Sequence, residues 1–440
     1  MSKPEKKSSR KERTSVTINL NLNVRSLKPS ATLAINEHSQ ALIEEGRKVY
    51  RMGFGQSPFP VPEPVVAELK AHAQEKDYLP VKGLKSLRDA VAESYRRIQG
   101  IEVSREDVLI GPGSKELLFI LQLVYYGDLV IPTPSWVSYS PQAQILGRRV
   151  QWVRTTAAHE WRLTPEELEQ ICMLDPERPR LVILNYPANP TGTTYTVDKL
   201  KALASVARKY KVILLSDEIY GELHHQGQHV SVARYYPEGT IISSGLSKWC
   251  GAGGWRLGTF TFPPELRWLQ ESMAVVASET FTATSAPIQY AAVAAFKGGP
   301  EIDTYLRNAR RILGTLGRSL QKKMQQAGIT MPVPSGGFYL FPNFDAYRPH
   351  LQKRGINTNQ DLCDQLLEDT GVALLPSQDF GRPAKELTAR LSYVNFDGGL
   401  ALQVARDEYA NKSLDEAFLR RCCPESLEAI NLICDWVKPV

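Results

Sequence analysis

The 440-residue sequence predicts an α/β protein: a large domain, with a mostly parallel seven-stranded sheet covered by helices, plus a smaller α+β domain. The length exceeds what one small domain holds, and a hydrophobic content of 42% is enough to form large cores. Between about residues 105 and 262, short apolar runs alternate with amphipathic stretches, which is typical of a parallel sheet covered on both faces. Beyond about residue 300, long polar helices and single short strands replace this pattern and indicate the smaller domain.

Four segments follow from these changes of pattern. Residues 1–34 are predicted to be a disordered or extended arm, residues 35–75 the first part of the small domain, residues 76–315 the large domain and residues 316–440 the rest of the small domain. The predicted strands of the large sheet are 108–110, 129–131, 150–153, 181–184, 212–215, 241–242 and 257–262. The predicted helices include 36–46, 63–74, 84–98, 115–125, 165–171, 197–210, 302–326 and 359–370. In the small domain we predict strands at 334–341, 372–375 and 390–394, followed by two closing helices.

Composition and charge disfavour several classes of protein. Six basic and two acidic residues among the first 13 account for +4 of the net charge of +6, and a solvated tail is favoured over a contact with nucleic acid or membrane. No apolar run approaches the roughly 18 residues that span a bilayer, and the N-terminus has no apolar signal core. The six cysteines form no CxxC pair, and His224 and His225 are adjacent, so the sequence predicts a cytoplasmic protein with reduced thiols and no metal site.

The stretch 243–258 places Lys248 between small residues, after a β-rich run and before a glycine-rich turn. An amine in a partly desolvated pocket has a lowered pKa and becomes a nucleophile, as in lysines that form Schiff bases. Arg256, eight positions later, would suit an anion such as a phosphate. Taken alone, such a loop is more often an ordinary turn, so its interpretation depends on the rest of the chain.

Ligands of α/β sheets bind beyond the carboxyl ends of the strands, and this sequence carries polar and aromatic residues there. Gly113, Ser114 and Lys115 follow the first predicted strand and open a helix, which suits either a phosphate or an ordinary helix cap. Trp136 follows the second strand, where it would either stack on a flat ring or pack against the core.

Two more strand ends carry candidate residues. Asn189 follows the fourth strand, and Pro190 holds its backbone out of the α region. Its side-chain amide is then free to point into a pocket, although the segment could equally be a plain turn. Asp217 ends the fifth strand, with Tyr220 three residues later, and a buried carboxylate there needs a partner: a cap, an internal ion pair or a cationic heterocycle. Together with Lys248, these residues supply what pyridoxal 5′-phosphate needs.

On these residues, the sequence resembles the class I/II aminotransferases, which are fold type I pyridoxal-phosphate enzymes, over about residues 35–400. The matching stretches are 55–59, 78–80, 83–84, 113–115, 134–139, 189–192, 217–220, 247–248, 254–258, 336–339 and 390–392. The resemblance implies pyridoxal-phosphate-dependent transfer of an amino group between an L-amino acid and a 2-oxo acid, in a homodimer with shared active sites. A lyase on the same fold, such as a C–S lyase, shares every cofactor residue and is the alternative. A transcription regulator is disfavoured, because only about 35 residues precede the matching region.

The resemblance also implies roles for the residues around the cofactor. Lys248 would form the Schiff base and shuttle the substrate Cα proton, and Asp217 would keep the pyridine nitrogen protonated. Tyr220 and Asn189 would hydrogen-bond the phenolic oxygen, and Trp136 would stack on the ring. The residues implied to hold the phosphate are Gly113, Ser114, Lys115, Ser247 and Arg256, together with Tyr78 reaching over from the other subunit.

For the substrate, the resemblance implies that Arg390 pairs with the α-carboxylate, backed by Gly55, with Trp136 and Asn189 also in contact. Lys115 falls where prokaryotic-type aspartate aminotransferases carry a lysine that reads the distal carboxylate, so aspartate or glutamate is one candidate donor. Phe281 falls where another branch carries a side-chain-reading arginine. Phe281, Trp136 and Tyr339 equally allow an aromatic or aliphatic donor.

The sequence departs from the family pattern three residues before Lys248. Many members have a serine there, and this chain has Gly245. One phosphate contact is therefore open, with Ser244 or Ser247 as candidate substitutes.

Overall fold

The structure is a computed structural model that describes residues 19–25, 27, 29 and 31–439. The predicted N-terminal arm therefore falls largely outside the described residues. Within residues 19–25 the chain forms a turn, and Asn23 Nδ2 donates a hydrogen bond to the carbonyl oxygen of Ile145 at 3.3 Å. None of the described helices is both long and apolar enough to cross a bilayer.

Ten strands and fifteen α-helices lie in the described part of the chain, together with short 3-10 turns. The strands are β1 (Val108–Gly111), β2 (Asp128–Thr133), β3 (Val150–Arg154), β4 (Arg180–Asn185), β5 (Ile213–Asp217), β6 (Thr240–Gly245), β7 (Gly258–Thr261), β8 (Tyr339–Leu340), β9 (Leu375–Pro376) and β10 (Ala389–Ser392). The helices are α1 (Ala31–Glu44), α2 (Glu63–Ala71), α3 (Lys85–Gln99), α4 (Ser114–Val124), α5 (Tyr139–Ile145), α6 (Pro165–Leu174), α7 (Val197–Lys209), α8 (Arg267–Glu279), α9 (Ala286–Lys297), α10 (Pro300–Gln326), α11 (Arg348–Lys353), α12 (Asn359–Thr370), α13 (Gly398–Asp407), α14 (Glu416–Cys422) and α15 (Pro424–Trp436).

The seven-stranded sheet has the order β1-β7-β6-β5-β4-β2-β3. β7 pairs antiparallel with β1 and β6, and the remaining neighbours pair in parallel. The predicted mostly parallel sheet is confirmed. Its register aligns Asn185 with Asp217 and Asp217 with Ser243, so the polar ends of three central strands lie side by side.

Both faces of this sheet are covered because the strand residues alternate between two cores. Leu181 and Ile183 of β4 face the core formed with α4 and α8, whereas Val182 and Leu184 face the core formed with α6 and α7. Side chains on a strand point alternately to opposite faces, so a nearly continuous apolar run buries both.

The smaller sheet is antiparallel, with the order β8-β10-β9, and belongs to the same core as α10, α12 and α15. The register pairs Ser392 with Tyr339 and Arg390 with Leu375, which fixes two predicted site residues within one small sheet. α2, whose sequence falls in the predicted 35–75 segment, packs against α9.

Several predicted elements need correction. The strand predicted at 334–341 is only two residues long, and three helices, not two, follow β10. The strand predicted at 372–375 begins only at Leu375, although Val372 forms an isolated bridge with Tyr50. Helices α5, α8, α9 and α11 have no counterpart in the sequence-based assignment.

Candidate active site

A cavity of about 480 Å³ opens beyond the carboxyl ends of β2, β4, β5 and β6, beside the N-terminus of α4. It brings together most of the site residues that the sequence predicts. Those lining the cavity are Gly55, Ser114, Lys115, Trp136, Asn189, Asp217, Tyr220, Ser247, Lys248, Arg256 and Arg390. Residues of the large sheet and of β8 and β10 therefore meet at one place.

Lys248 follows β6 and directs its amine into this cavity. Nζ donates a hydrogen bond to the carbonyl oxygen of Gly55 at 2.8 Å and lies 5.8 Å from the ring centroid of Tyr220. Burial, with the positive charges of Arg390 and Arg256, lowers the pKa of the amine to about 8. About a tenth of the amine is therefore neutral and nucleophilic at neutral pH, far more than for an exposed lysine.

Asp217 is the last residue of β5, and only 3% of it is exposed. Its Oδ2 accepts a hydrogen bond from the hydroxyl of Tyr139 at 2.5 Å, and its Oδ1 accepts one from Ser243 Oγ at 3.4 Å. Burial raises the pKa of the carboxyl to about 6 despite these bonds. Within the described residues its carboxylate forms no ion pair and is held by hydroxyl groups, so a cationic ligand would relieve the cost of its burial.

Sequence reasoning missed the roles of Tyr139 and Ser243. Tyr139 is the first residue of α5, and its ring lies edge-on to Trp136 with centroids 5.3 Å apart. The three-residue spacing of the two aromatics at the start of a helix was the available signal. Ser243 is brought to Asp217 by strand register, which the sequence alone does not reveal.

An anion cradle is formed where α4 begins against β7. A Cβ at Gly113 would collide with the guanidinium of Arg256, and a Cβ at Gly258 would collide with the backbone of Ser114. These glycines let the first free N–H groups of α4 and the Arg256 side chain approach the same space. Arg256 forms no ion pair within the described residues and donates to the carbonyl oxygen of Gly253 at 3.0 Å. Gly113 itself lies just behind the cavity surface and shapes it.

The two candidate serines near Lys248 lie in different surroundings. A Cβ at Gly245 would lie 2.6 Å from the carbonyl oxygen of Leu257, so this backbone does not accommodate a serine there. Ser247 lines the cavity of Lys248, whereas Ser244 lines a separate cavity of about 350 Å³ beside Tyr95. Of the two candidates, only Ser247 can face the anion cradle.

Lys115 is the second residue of α4, and its Nζ lies 5.4 Å from the ring centroid of Trp136. Burial, followed by the charge of Arg256, lowers its pKa. It forms no ion pair within the part of the chain that the structure describes. A cation stacked on an aromatic ring and lining a cavity is available for a negatively charged ligand group.

Arg390, in the middle of β10, is 1% exposed but reaches the cavity. Its Nη2 donates to the carbonyl oxygen of Gly53 at 2.6 Å, its Nη1 donates to Asn189 Oδ1 at 3.2 Å, and its buried Nε has no hydrogen-bond partner. Its guanidinium carbon lies 4.9 Å from the ring centroid of Tyr339 and 5.1 Å from that of Phe380. A planar guanidinium held in this way suits a carboxylate.

Two tyrosines form the wall next to Lys248. The hydroxyls of Tyr220 and Tyr339 are 2.8 Å apart, and burial raises the pKa of both. A Cβ at Gly55 would occupy the position of the Tyr339 hydroxyl, so glycine is required there.

Two predicted residues lie elsewhere. Tyr78, between α2 and α3, is 91% exposed and does not line the cavity of its own chain. Phe281 packs against the core shared by the sheet and α8, and it does not line the cavity either.

His224 and His225 are buried, which lowers the pKa of each to about 4. In the described residues, no group of three or more His, Cys, Asp and Glu side chains is placed to hold a metal ion.

Comparison with known proteins gives a consistent result. The family model for aminotransferase class I and II matches residues 47–395. The chain is 36% identical over 392 residues to an aspartate aminotransferase of Geobacillus stearothermophilus, which covers 87% of this chain and 96% of that protein. It is 31% identical over 392 residues to the aspartate/prephenate aminotransferase of Thermus thermophilus, which covers 88% of this chain and 97% of that protein. The solved structure of Thermus thermophilus aspartate aminotransferase with maleate matches 96% of this chain and 100% of its own, with a TM-score of 0.80 and 27% identity.

The matched region begins shortly after α1 and ends just beyond β10, and so contains every residue that lines the cavity. The predicted family, fold and reaction class are confirmed. The chain belongs to the class I and II aminotransferases, enzymes that transfer an amino group between an amino acid and a 2-oxo acid.

Proposed function

We propose that the enzyme uses pyridoxal 5′-phosphate to transfer the amino group of an acidic amino acid, aspartate or glutamate, to a 2-oxo acid. The observation that carries the proposal is the presence of Lys115 and Arg390 in the same cavity as the Lys248 amine. Two cations beside one nucleophilic amine suit an amino acid with two carboxylates. The aspartate aminotransferase names of its relatives support the same donor.

The residues present fit pyridoxal phosphate. The glycine-lined cradle at the start of α4, with Ser247 and Arg256, suits the phosphate, and the unpaired buried carboxylate of Asp217 suits a cationic pyridine nitrogen. Trp136 lines the cavity with an aromatic face, and Tyr220 and Asn189 offer polar groups for the ring oxygen. The bound cofactor supplies an electrophilic carbonyl and a ring that withdraws electrons from the substrate Cα.

The side chains of the enzyme bind the substrate and move its proton. Arg390 lines the cavity and orients the α-carboxylate, while Gly53 and Asn189 hold the guanidinium in place. Lys115 binds the distal carboxylate. The Lys248 amine, with its pKa near 8, removes the proton from Cα and returns it, because a base is most effective when its pKa lies close to the working pH.

The first test is the reaction of the cofactor-loaded enzyme with L-aspartate and 2-oxoglutarate, followed through oxaloacetate formation. Lys248→Ala should abolish the reaction and leave no pyridoxyl group on the 243–258 stretch after borohydride reduction. Wild-type enzyme that releases ammonia and pyruvate from an amino donor without amino exchange would instead support the lyase alternative. Full activity in Lys248→Ala would refute the assignment of the lysine.

The second test concerns the donor. Lys115→Met should raise KM for aspartate by about ten-fold or more while changing alanine turnover little, because only aspartate has a distal carboxylate, and a charge-assisted hydrogen bond contributes about 1.5–3 kcal/mol. Lys201→Met is a matched control, since the Lys201 amine also lies over an aromatic ring, 5.6 Å from the Tyr235 centroid, but outside the cavity. Equal kinetics for aspartate in the two variants would refute the role of Lys115. Faster turnover of phenylalanine than of aspartate by the wild type would favour an aromatic donor.

We also propose a homodimer in which Tyr78 reaches the phosphate of the other subunit. The 91% exposure of this tyrosine, outside its own cavity, supports the proposal. Mixing inactive Lys248→Ala and Tyr78→Asp subunits should restore about one quarter of wild-type activity, because half of the dimers are mixed and each mixed dimer has one intact site. No recovery after subunit exchange would place Tyr78 outside the partner's site.

The remaining assignments are proposals of the same kind. We propose residues 76–315 as the cofactor-binding domain and residues 35–75 and 316–440 as the small domain, with residues 1–34 as an arm. The six cysteines are free thiols, which supports a cytoplasmic enzyme. Cell fractionation with an antibody against the chain tests the location.

A further inference from the structure

The 377–386 loop runs between β9 and β10 and meets the large sheet at the ends of β2 and β3. Its first turn, Ser377–Phe380, presents the Phe380 carbonyl oxygen to the N–H of Ser135 at 3.0 Å, one residue before Trp136. Gly381 has φ +83°, and a Cβ there would lie 2.9 Å from Thr133 Cγ2. The close approach of the loop to β2 therefore requires a glycine at this position.

Arg382 joins this loop to both strands through its whole guanidinium, and the side chain is only 7% exposed. Nε and Nη2 each donate to one oxygen of Glu386 at 2.8 Å. Nη1 donates to the Thr133 carbonyl oxygen at 3.2 Å and to the Thr155 carbonyl oxygen at 3.1 Å. A planar fork of donors makes this geometry, and a lysine cannot reproduce it.

The flat face of the Arg382 guanidinium is covered by Trp161, whose ring centroid lies 4.7 Å from the guanidinium carbon. Trp161 has φ +62°, a left-handed conformation that is uncommon for an aromatic residue. The Trp161 ring in turn packs against Phe341 in a T-shaped arrangement, with centroids 5.7 Å apart. Carbonyl oxygens next to β2 and β3 thus bind the edge of the Arg382 guanidinium, and an aromatic ring covers its face.

The same loop also touches the substrate end of the cavity. The Phe380 ring lies 5.1 Å from the guanidinium carbon of Arg390, on which Tyr339 also packs. The loop is therefore in contact with the arginine on one side of the cavity and with the backbone next to Trp136 on the other. Any shift of the loop would move one of these groups relative to the other.

We infer that Arg382 is a positioning residue: it holds the 377–386 loop on the ends of β2 and β3 and thereby fixes the Arg390 guanidinium relative to Trp136. The inference rests on the proposed function, in which Arg390 binds the substrate α-carboxylate. Arg382 does not line the cavity, so it acts on the substrate only through the loop.

The test uses the cofactor-loaded enzyme and maleate, an unreactive dicarboxylate, as the probe. Arg382→Met should raise the Kd of maleate and KM for aspartate by roughly ten-fold, because a misplacement of about an ångström costs up to 100-fold in efficiency. The value of kcat should change by less than about three-fold, since Lys248 and Asp217 lie outside the loop. A merely structural role would lower the amount of active enzyme and leave KM and Kd unchanged.

Arg354→Met is the matched control. Arg354 also lies over a tryptophan, 4.1 Å from the Trp436 ring centroid, and pairs with Asp369 Oδ2 at 3.0 Å, but it does not line the cavity. Its maleate Kd should equal that of the wild type. Equal Kd values for Arg354→Met and Arg382→Met would overturn the inference.

A second variant keeps the test decisive if Arg382→Met does not fold. Glu386→Gln removes the charge that pairs with Arg382, and the Glu386 side chain is 29% exposed, so its folding cost is smaller. We expect a smaller rise of maleate Kd, about three-fold, in this variant, and an unchanged Kd would overturn the inference. An absence of transamination in the wild type would refute the proposed function instead, while the maleate titrations would still decide the role of Arg382.

Discussion

Replacing Asp217 with asparagine should remove a pH-dependent loss of stability from the cofactor-free protein. Burial raises the pKa of Asp217 to about 6 in the folded chain, above its ordinary value of 3.8. The folded state therefore holds this proton more tightly than the unfolded chain does. Stability from this group is fully present below about pH 4 and is lost as pH rises through about 6.

The expected size follows from the same two values. Their difference is about two pKa units, and each unit corresponds to 1.36 kcal/mol, so ionised Asp217 costs the folded cofactor-free protein about 3 kcal/mol at neutral pH. The full burial of the carboxyl keeps this cost from being screened by solvent. Asparagine keeps an oxygen that accepts the Tyr139 hydrogen bond, so the variant changes the charge more than the contact.

The assay is urea denaturation of both proteins without cofactor from pH 4 to pH 8. The free energy of unfolding of the wild type should fall relative to Asp217→Asn by about 3 kcal/mol, mostly between the ordinary pKa of 3.8 and the folded pKa of about 6, with a midpoint at about pH 5. Pyridoxal phosphate should abolish the fall, because a pyridinium cation compensates the carboxylate. A difference that is constant or grows with pH would refute the reasoning.

Asp107 provides a control of opposite sign. Burial would raise its pKa, but hydrogen bonds from Ser104 and the ion pair with Arg267 lower it. Its contribution to stability is therefore present above the ordinary pKa and is lost as pH falls. Asp107→Asn should be most destabilising at neutral pH, where Asp217→Asn is most stabilising.

Further predictions concern the same loop and carboxylate. Gly245→Ser should not restore a family contact; it should destabilise the chain by about 1–3 kcal/mol, measured by urea denaturation, since the added atoms meet the Leu257 carbonyl. A stabilised or unchanged variant would contradict the geometry. Tyr139→Phe removes the short hydrogen bond to Asp217, so the pKa of the folded carboxyl should rise by about one unit. The stability loss should then grow by about 1.4 kcal/mol and its midpoint should rise by about half a pH unit. An unchanged midpoint would show that the hydroxyl is not the donor. The rate at which a reagent acylates the Lys248 amine in the cofactor-free protein can be followed by mass spectrometry. This rate should reach half its maximum near pH 8. A midpoint near 10.4, the ordinary value for lysine, would contradict its burial.

The sequence was most informative where one residue type has one physical reason to be present. All seven strands of the large sheet were located by their apolar runs, because strands buried on both faces have no polar alternation to obscure them. The reversed direction of β7 was not predictable, because it depends on its neighbours β1 and β6 and not on its own residues. Helices α8 and α9 were missed because they follow β7, the last strand of the large sheet, where no alternation of strands and helices marks their bounds.

The candidate site likewise contains residues that the sequence revealed and residues that only the fold revealed. Strand-end residues such as Asp217 and Asn189 were found because a polar group at the end of an apolar strand is unusual. Ser243 was missed, because only register brings it to Asp217. Arg382 stands in a Gly-Arg-Pro stretch that resembles an exposed turn, and only the folded chain shows that its guanidinium is buried against the ends of β2 and β3.

The glycine at position 55 limits how this enzyme can acquire new substrates. Any larger residue there displaces the Tyr339 hydroxyl and breaks its bond to Tyr220, so a single substitution on this wall damages the side chains beside Lys248. Val137 and Gln56 also line the cavity, and neither carries one of the roles proposed above. Selection for a different donor would therefore proceed through positions such as these two, and a library that randomises Gly55 would consist mostly of inactive enzymes.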